Sequence, residues 1–140
     1  MIDRNAVLGK YDHHCAYCGC EITLKTMQVD HKIPKCSGGT DDIENLLPAC
    51  RLCNHYKRGG SPNHLRWLLV DMHKKLKNIY IFRVAEKYGM INWKEWSGEF
   101  YFEKIDGPYY DPWESQPDNQ NNRENKIKGK GLGDGKTYFV

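Results

Sequence analysis

Apolar positions in the first half of the chain come in short runs. Residues 27–34 (MQVDHKIP) place Val29 and Ile33 among polar neighbours and close on Pro34, a pattern that suits a short strand ended by a residue unable to extend the ladder. The stretch Ser37-Gly38-Gly39-Thr40-Asp41-Asp42 reads as a turn or loop. Residues 43–49 (IENLLPA) then predict a second short strand or extended segment, and residues 51–58 a short helix that stops at Gly59-Gly60.

Beyond residue 60 the spacing becomes helical. Ser61-Pro62 reads as an N-cap followed by a first-turn proline, after which Leu65, Leu68, Leu69, Met72 and Leu76 recur on one face. A second helix is expected with Ile81, Phe82, Ala85 and Tyr88 inward and Gly89 as its stop, and residues 97–105, with Phe100-Tyr101-Phe102, suit a strand. From about residue 111 periodicity is lost and the chain becomes rich in Asn, Gly, Lys and Gln, which predicts a flexible polar tail. Three parts are therefore expected: 1–60, 61–110 and 111–140. The tail's Gly135-Lys136-Thr137 resembles the end of a phosphate-binding loop, but Lys130 stands where the first glycine is needed and no helix can follow Thr137.

A length of 140 residues leaves room for one ordinary domain or a small domain with an appended piece. No run of about 18 apolar residues occurs, so a membrane span is not expected. Residues 1–10 carry Asp3 and Arg4 and lack the apolar core of a secretory signal, which points to a reducing cytoplasm. The net charge of +3 is spread thinly and does not by itself identify a nucleic-acid binder.

In a reducing compartment the six cysteines read as metal ligands rather than disulfides. Cys15-Ala-Tyr-Cys18 and Cys50-Arg-Leu-Cys53 are two CxxC units, together the four-sulfur set that Zn²⁺ takes tetrahedrally, with no position left open for substrate. The ion would be structural and would close the excursion between the pairs at its base. Cys20 offers an alternative CxC with Cys18, and Cys36 reads as a small loop residue. The fold class expected is α+β, with strand, loop, strand and helix on a zinc, followed by a mainly helical extension.

Cys15, Cys18, Gly19, Val29, Asp30, His31, Pro34, Gly38, Gly39, Asn45, Leu46, Pro48, Cys50, Cys53, Asn54 and Lys57 form a pattern that resembles the HNH endonucleases of the zinc-bearing ββα-metal type, phage and prophage members included. The resemblance covers residues 11–59, under half of the chain. It departs at the third letter, where Asn54 stands in place of the histidine of many members. It implies a metal-dependent DNA endonuclease whose products carry a 5′-phosphate and a 3′-hydroxyl.

By the same resemblance His31 is the general base that deprotonates water, and Asp30 with the side-chain oxygen of Asn54 holds Mg²⁺ or Mn²⁺. Asn45 matches the middle asparagine, whose amide is expected to bridge loop backbone and fix the segment that carries His31. One tension stands: adjacent residues in a regular strand face opposite ways, so Asp30 and His31 share a site only at a strand end or distortion.

Lys32, Lys35, Arg51, Lys57 and Arg58 surround these positions and are candidates to neutralise phosphates of bound DNA. A zinc-stabilised nucleic-acid-binding module without cleavage is the alternative function, and a zinc-based protein-interaction domain a third. One catalytic centre per chain leaves a monomer or a homodimer open.

Overall fold

Asp3 starts the first helix: its carboxylate accepts from the backbone N–H groups of Asn5 and Ala6 at 3.0 and 3.2 Å, which caps α1 (Arg4–Gly9). In the computed structural model, which describes residues 1–112, this helix buries Val7 and Leu8. Its neighbours tie it to the rest of the chain. Arg4 donates to the carbonyls of Leu24 and Met27, and Lys10 to those of Ile43 and Leu46, at 2.6 to 3.1 Å. Periodicity did not predict α1, because a helix of under two turns with two buried apolar residues leaves no repeat to read.

Strands β1 (Met27–His31) and β2 (Leu46–Cys50) pair antiparallel, with Met27 opposite Cys50, Asp30 opposite Leu47 and His31 opposite Leu46. Leu46, Leu47, Pro48 and Ala49 are all buried, so β2 is covered on both faces. Pro48 lacks a donor but its carbonyl accepts from Ala16 N–H at 2.8 Å, which ties the first CxxC to this strand. The extended segment expected over 43–49 begins in fact as a 3₁₀ turn, Ile43–Asn45, and becomes strand at Leu46. Helix α2 (Arg51–Lys57) follows β2 directly, and the chain leaves it at Arg58, at φ 57°, one residue before the expected glycine pair. Two strands and this helix make the small ββα unit that the sequence predicts.

The single helix expected from residue 61 is split at Asp71 into α3 (Pro62–Val70) and α4 (Met72–Lys77). Ser61 caps α3 as expected, its hydroxyl accepting from His64 N–H at 3.3 Å. Helix α5 (Tyr80–Lys87) ends at Gly89, whose φ of +71° supplies the left-handed stop. Its inward face is not the one predicted: Ile81 and Tyr88 are 70% and 76% exposed, and only Phe82 and Ala85 are half-buried.

The strand expected over 97–105 is a helix, α6 (Tyr101–Asp106). Phe100 and Phe102 both bury, as alternating strand residues would, and three residues of alternation cannot separate the two conformations. Hydrogen bonding decides it. Glu103 turns back to accept Phe100 N–H at 2.8 Å, and the free N–H groups of Tyr101 and Phe102 reach the carbonyls of Tyr17 and Ala16. Burial pushes the Glu103 carboxyl up, but the Arg66 guanidinium and the N–H groups of Phe100 and Tyr109 outweigh it and hold that carboxyl below its usual range.

The core gathers α1, the first CxxC, the hairpin, Leu65 of α3, Phe100 just before α6 and Phe102 within it. Tyr17 meets Phe100 edge to face at 5.1 Å between ring centres, and Phe102 at 6.1 Å. The chain divides into two units, Met1–Tyr109 and Tyr110–Val140, and every helix and strand of the described residues belongs to the first. No helix of the described residues is long and apolar enough to cross a membrane. The polar tail beyond residue 112, with Gly135-Lys136-Thr137, lies outside the described residues.

Candidate functional site

The two CxxC units meet where β2 enters α2. The sulfurs of Cys15, Cys18, Cys50 and Cys53 all lie within 4.8 Å of one another, and those of Cys18 and Cys50 are 3.9 Å apart. A zinc ion bound tetrahedrally at about 2.3 Å separates its sulfurs by about 3.8 Å, so the set is compatible with zinc. Its local support is good: Cys15 Sγ accepts from Cys50 N–H at 3.3 Å, and Cys50 Sγ from Cys53 N–H at 3.4 Å. A proton from Cys53, with the backbone N–H groups of Cys50, Cys18 and Tyr17, overcomes burial and brings the Cys15 thiol down to about 4. Four thiolates this close would repel one another, and a divalent cation at their centre would supply the charge that lets all four ionise. Cys20 and Cys36 stay exposed outside the converging set.

From the hairpin the chain leaves β1 at His31, runs through a loop and returns at β2. Asn45 closes that loop with its side chain: Oδ1 accepts from Ile33 N–H at 2.8 Å, and Nδ2 donates to the carbonyls of Ile33 and Thr40 at 3.1 and 2.8 Å. This is the bridge that the sequence resemblance implies for Asn45. Gly39 is required inside it, because a Cβ there would lie 1.8 Å from the carbonyl oxygen of Ile33. The side chain of His31 is 21% exposed at the loop's entrance. Its Nε2 lies 2.8 Å from Oδ1 of Asp41, whose Oδ2 accepts from Lys35 Nζ at 2.7 Å.

Asp30 faces the opposite way, as strand alternation requires. Its carboxylate is 6% exposed and takes one hydrogen bond from Lys57 Nζ at 3.0 Å and another from the Tyr17 hydroxyl. Burial, then the charge of Asp30, push the Tyr17 hydroxyl well above its ordinary value, so it stays a donor. Lys57 also donates to the His31 carbonyl at 3.1 Å. Lys57 is thus corrected from phosphate contact to core residue: its side chain is 1% exposed and its charge is spent on Asp30. Removing one partner of a buried pair strands the other charge, so Lys57→Met should cost about 3–5 kcal/mol of stability. Denaturant unfolding checks this, and an unchanged midpoint would show the pair to be idle.

Asn54 sits half-buried on α2, and its carboxamide has no partner among the described residues. The Asn54 side-chain oxygen is thus open to an oxygen-seeking cation, whereas a cation at Asp30 would compete with the Lys57 ammonium for a carboxylate that already holds two hydrogen bonds. Of the remaining basic candidates, Arg51 and Arg58 are exposed, Lys35 is paired with Asp41, and Lys32 places Nζ 5.8 Å from the ring centre of Phe102.

The hairpin, the Asn45-bridged loop and the cysteine cluster at its base have a counterpart among known proteins. Residues 15–59 match the HNH endonuclease family model. The matched HNH segment runs from the first cysteine of the cluster to the glycine after α2. Over 49 residues the chain is 43% identical to the CRISPR-associated endonuclease Cas9 of Corynebacterium diphtheriae. That alignment covers 34% of this chain and 4% of the Cas9 chain, so the likeness is confined to the HNH segment. Two residues of the site escaped sequence reasoning. Tyr17 lies between the two cysteines of a CxxC, where nothing in the sequence signals burial. Asp41 reads as an ordinary turn acid until the loop folds it back onto His31.

Proposed function

We propose that this protein is an HNH-type nuclease that hydrolyses DNA phosphodiester bonds, with His31 as the general base. The observation that carries this reading is the His31 imidazole, partly exposed at the end of β1 beside a loop locked by Asn45, within a segment that matches a nuclease family. A neutral imidazole there takes a proton from water as the water oxygen attacks phosphorus, and the bond to the 3′-oxygen breaks, leaving a 5′-phosphate and a 3′-hydroxyl. Arg51 and Arg58, both exposed beside α2, neutralise flanking phosphates. Structural zinc in the four-cysteine set holds the hairpin to α2. Cleavage depends on Mg²⁺ or Mn²⁺, to which the Asn54 side-chain oxygen is open and for which the Asp30 carboxylate would have to be shared with Lys57.

One observation favours a second reading. The same Asp30–Lys57 pair removes from the site the carboxylate that a cation would use, as in a zinc-stabilised module that binds DNA without cutting. Purified protein incubated with supercoiled plasmid, with and without added Mg²⁺ or Mn²⁺, separates the two. Nicked or linear DNA that forms only with the added ion supports the nuclease. Binding to plasmid, linear duplex and single strands with no cleavage under either ion would sink it in favour of the binding module.

A further inference from the structure

We propose that Asp41 is a positioning residue for His31, holding the ring through Nε2 so that Nδ1 is the nitrogen that takes the proton from the attacking water. The proposal rests on the nuclease reading for its chemistry and on the loop's geometry for its contact. Nε2 of His31 and Oδ1 of Asp41 are 2.8 Å apart. An ionised carboxylate only accepts, so the hydrogen of that bond belongs to Nε2 and the lone pair of the neutral ring to Nδ1. The Lys35 ammonium, then His31, hold the Asp41 carboxyl below its ordinary range, which keeps it an acceptor.

The pair is built rather than met by chance of a mobile surface. The Asn45 side chain grips Ile33, two residues after His31, and Thr40, the residue before Asp41. One carboxamide therefore sets the distance between the two arms of the loop that carry the imidazole and the carboxylate. In the reaction the water oxygen bonds to phosphorus as its proton passes to Nδ1, and the bond to the 3′-oxygen breaks with its electron pair on that oxygen. The ring becomes an imidazolium that keeps its Nε2–H, and the carboxylate beside it stabilises the new charge.

The test joins the ring's own signal to kinetics. Long-range proton–nitrogen spectra of the full ¹⁵N-labelled chain at about pH 8, above the reference histidine value of about 6.5, report which ring nitrogen of His31 carries hydrogen. His31→Ala identifies the signal. The expected result is an Nε2–H resonance in the wild type that is lost to solvent exchange in Asp41→Ala, with kcat lowered roughly tenfold or more and KM little changed. Hydrogen on Nδ1 in the wild type, a ring spectrum indifferent to Asp41→Ala, or a folded Asp41→Ala protein with wild-type kcat would each overturn the proposal. A wild-type protein with the Asp41-dependent ring signal and no cleavage would instead sink the nuclease reading and leave the contact standing.

Discussion

Cys50→Ser should cost this protein most of its folded structure across residues 15–59. Cys50 is the last residue of β2, opposite Met27, and its sulfur also accepts the N–H of Cys53 at the start of α2. It lies in the four-sulfur set, so serine there would remove one of the four sulfurs that zinc would take and a junction from the fold. Structural zinc contributes apparent free energies of about 10–16 kcal/mol in small domains, comparable to or larger than the whole stability of about 5–15 kcal/mol of an ordinary domain. The variant should bind no stoichiometric zinc, lose helical circular dichroism and exchange the amides of β1 and β2 rapidly. A Cys50→Ser protein with the wild-type unfolding midpoint would show that the cluster holds nothing together.

His31→Ala should do the reverse, removing activity while sparing the fold. A positioned general base contributes roughly 10²–10⁴-fold, and cleavage of plasmid should fall by that factor. Stability should change far less than activity, because the ring's side-chain partner among the described residues is an exposed aspartate. Time courses of nicking beside thermal unfolding curves check both halves. Cutting at the wild-type rate by a folded His31→Ala protein would remove His31 from the chemistry.

The parts of the fold that were legible in sequence are those whose signals are local. A CxxC places two sulfurs near each other whatever surrounds it, and Ser61-Pro62 starts a helix and Gly89 ends one, whereas β1 stops at His31, short of the Pro34 expected to close it. Asn45 was legible only through the family resemblance, and its side chain makes three hydrogen bonds to loop backbone. What stayed hidden depends on partners distant in the chain. Lys57 looks like any basic residue near a helix end until Asp30, far earlier, buries with it. Phe100-Tyr101-Phe102 carries the composition of a strand, and only the carbonyls of Ala16 and Tyr17, with Arg66 on Glu103, turn it into a helix. The outward turn of Ile81 and Tyr88 has the same origin, since a helix face is inward only where another element covers it.

The wall behind the HNH segment comes from outside that segment. Phe100 and Phe102 cover Tyr17, and Tyr17 in turn donates to Asp30 beneath the site. A piece cut at residues 15–59 would therefore not be portable: grafted into another protein, it would need two substitute aromatic rings at that face before its hairpin could stand dry.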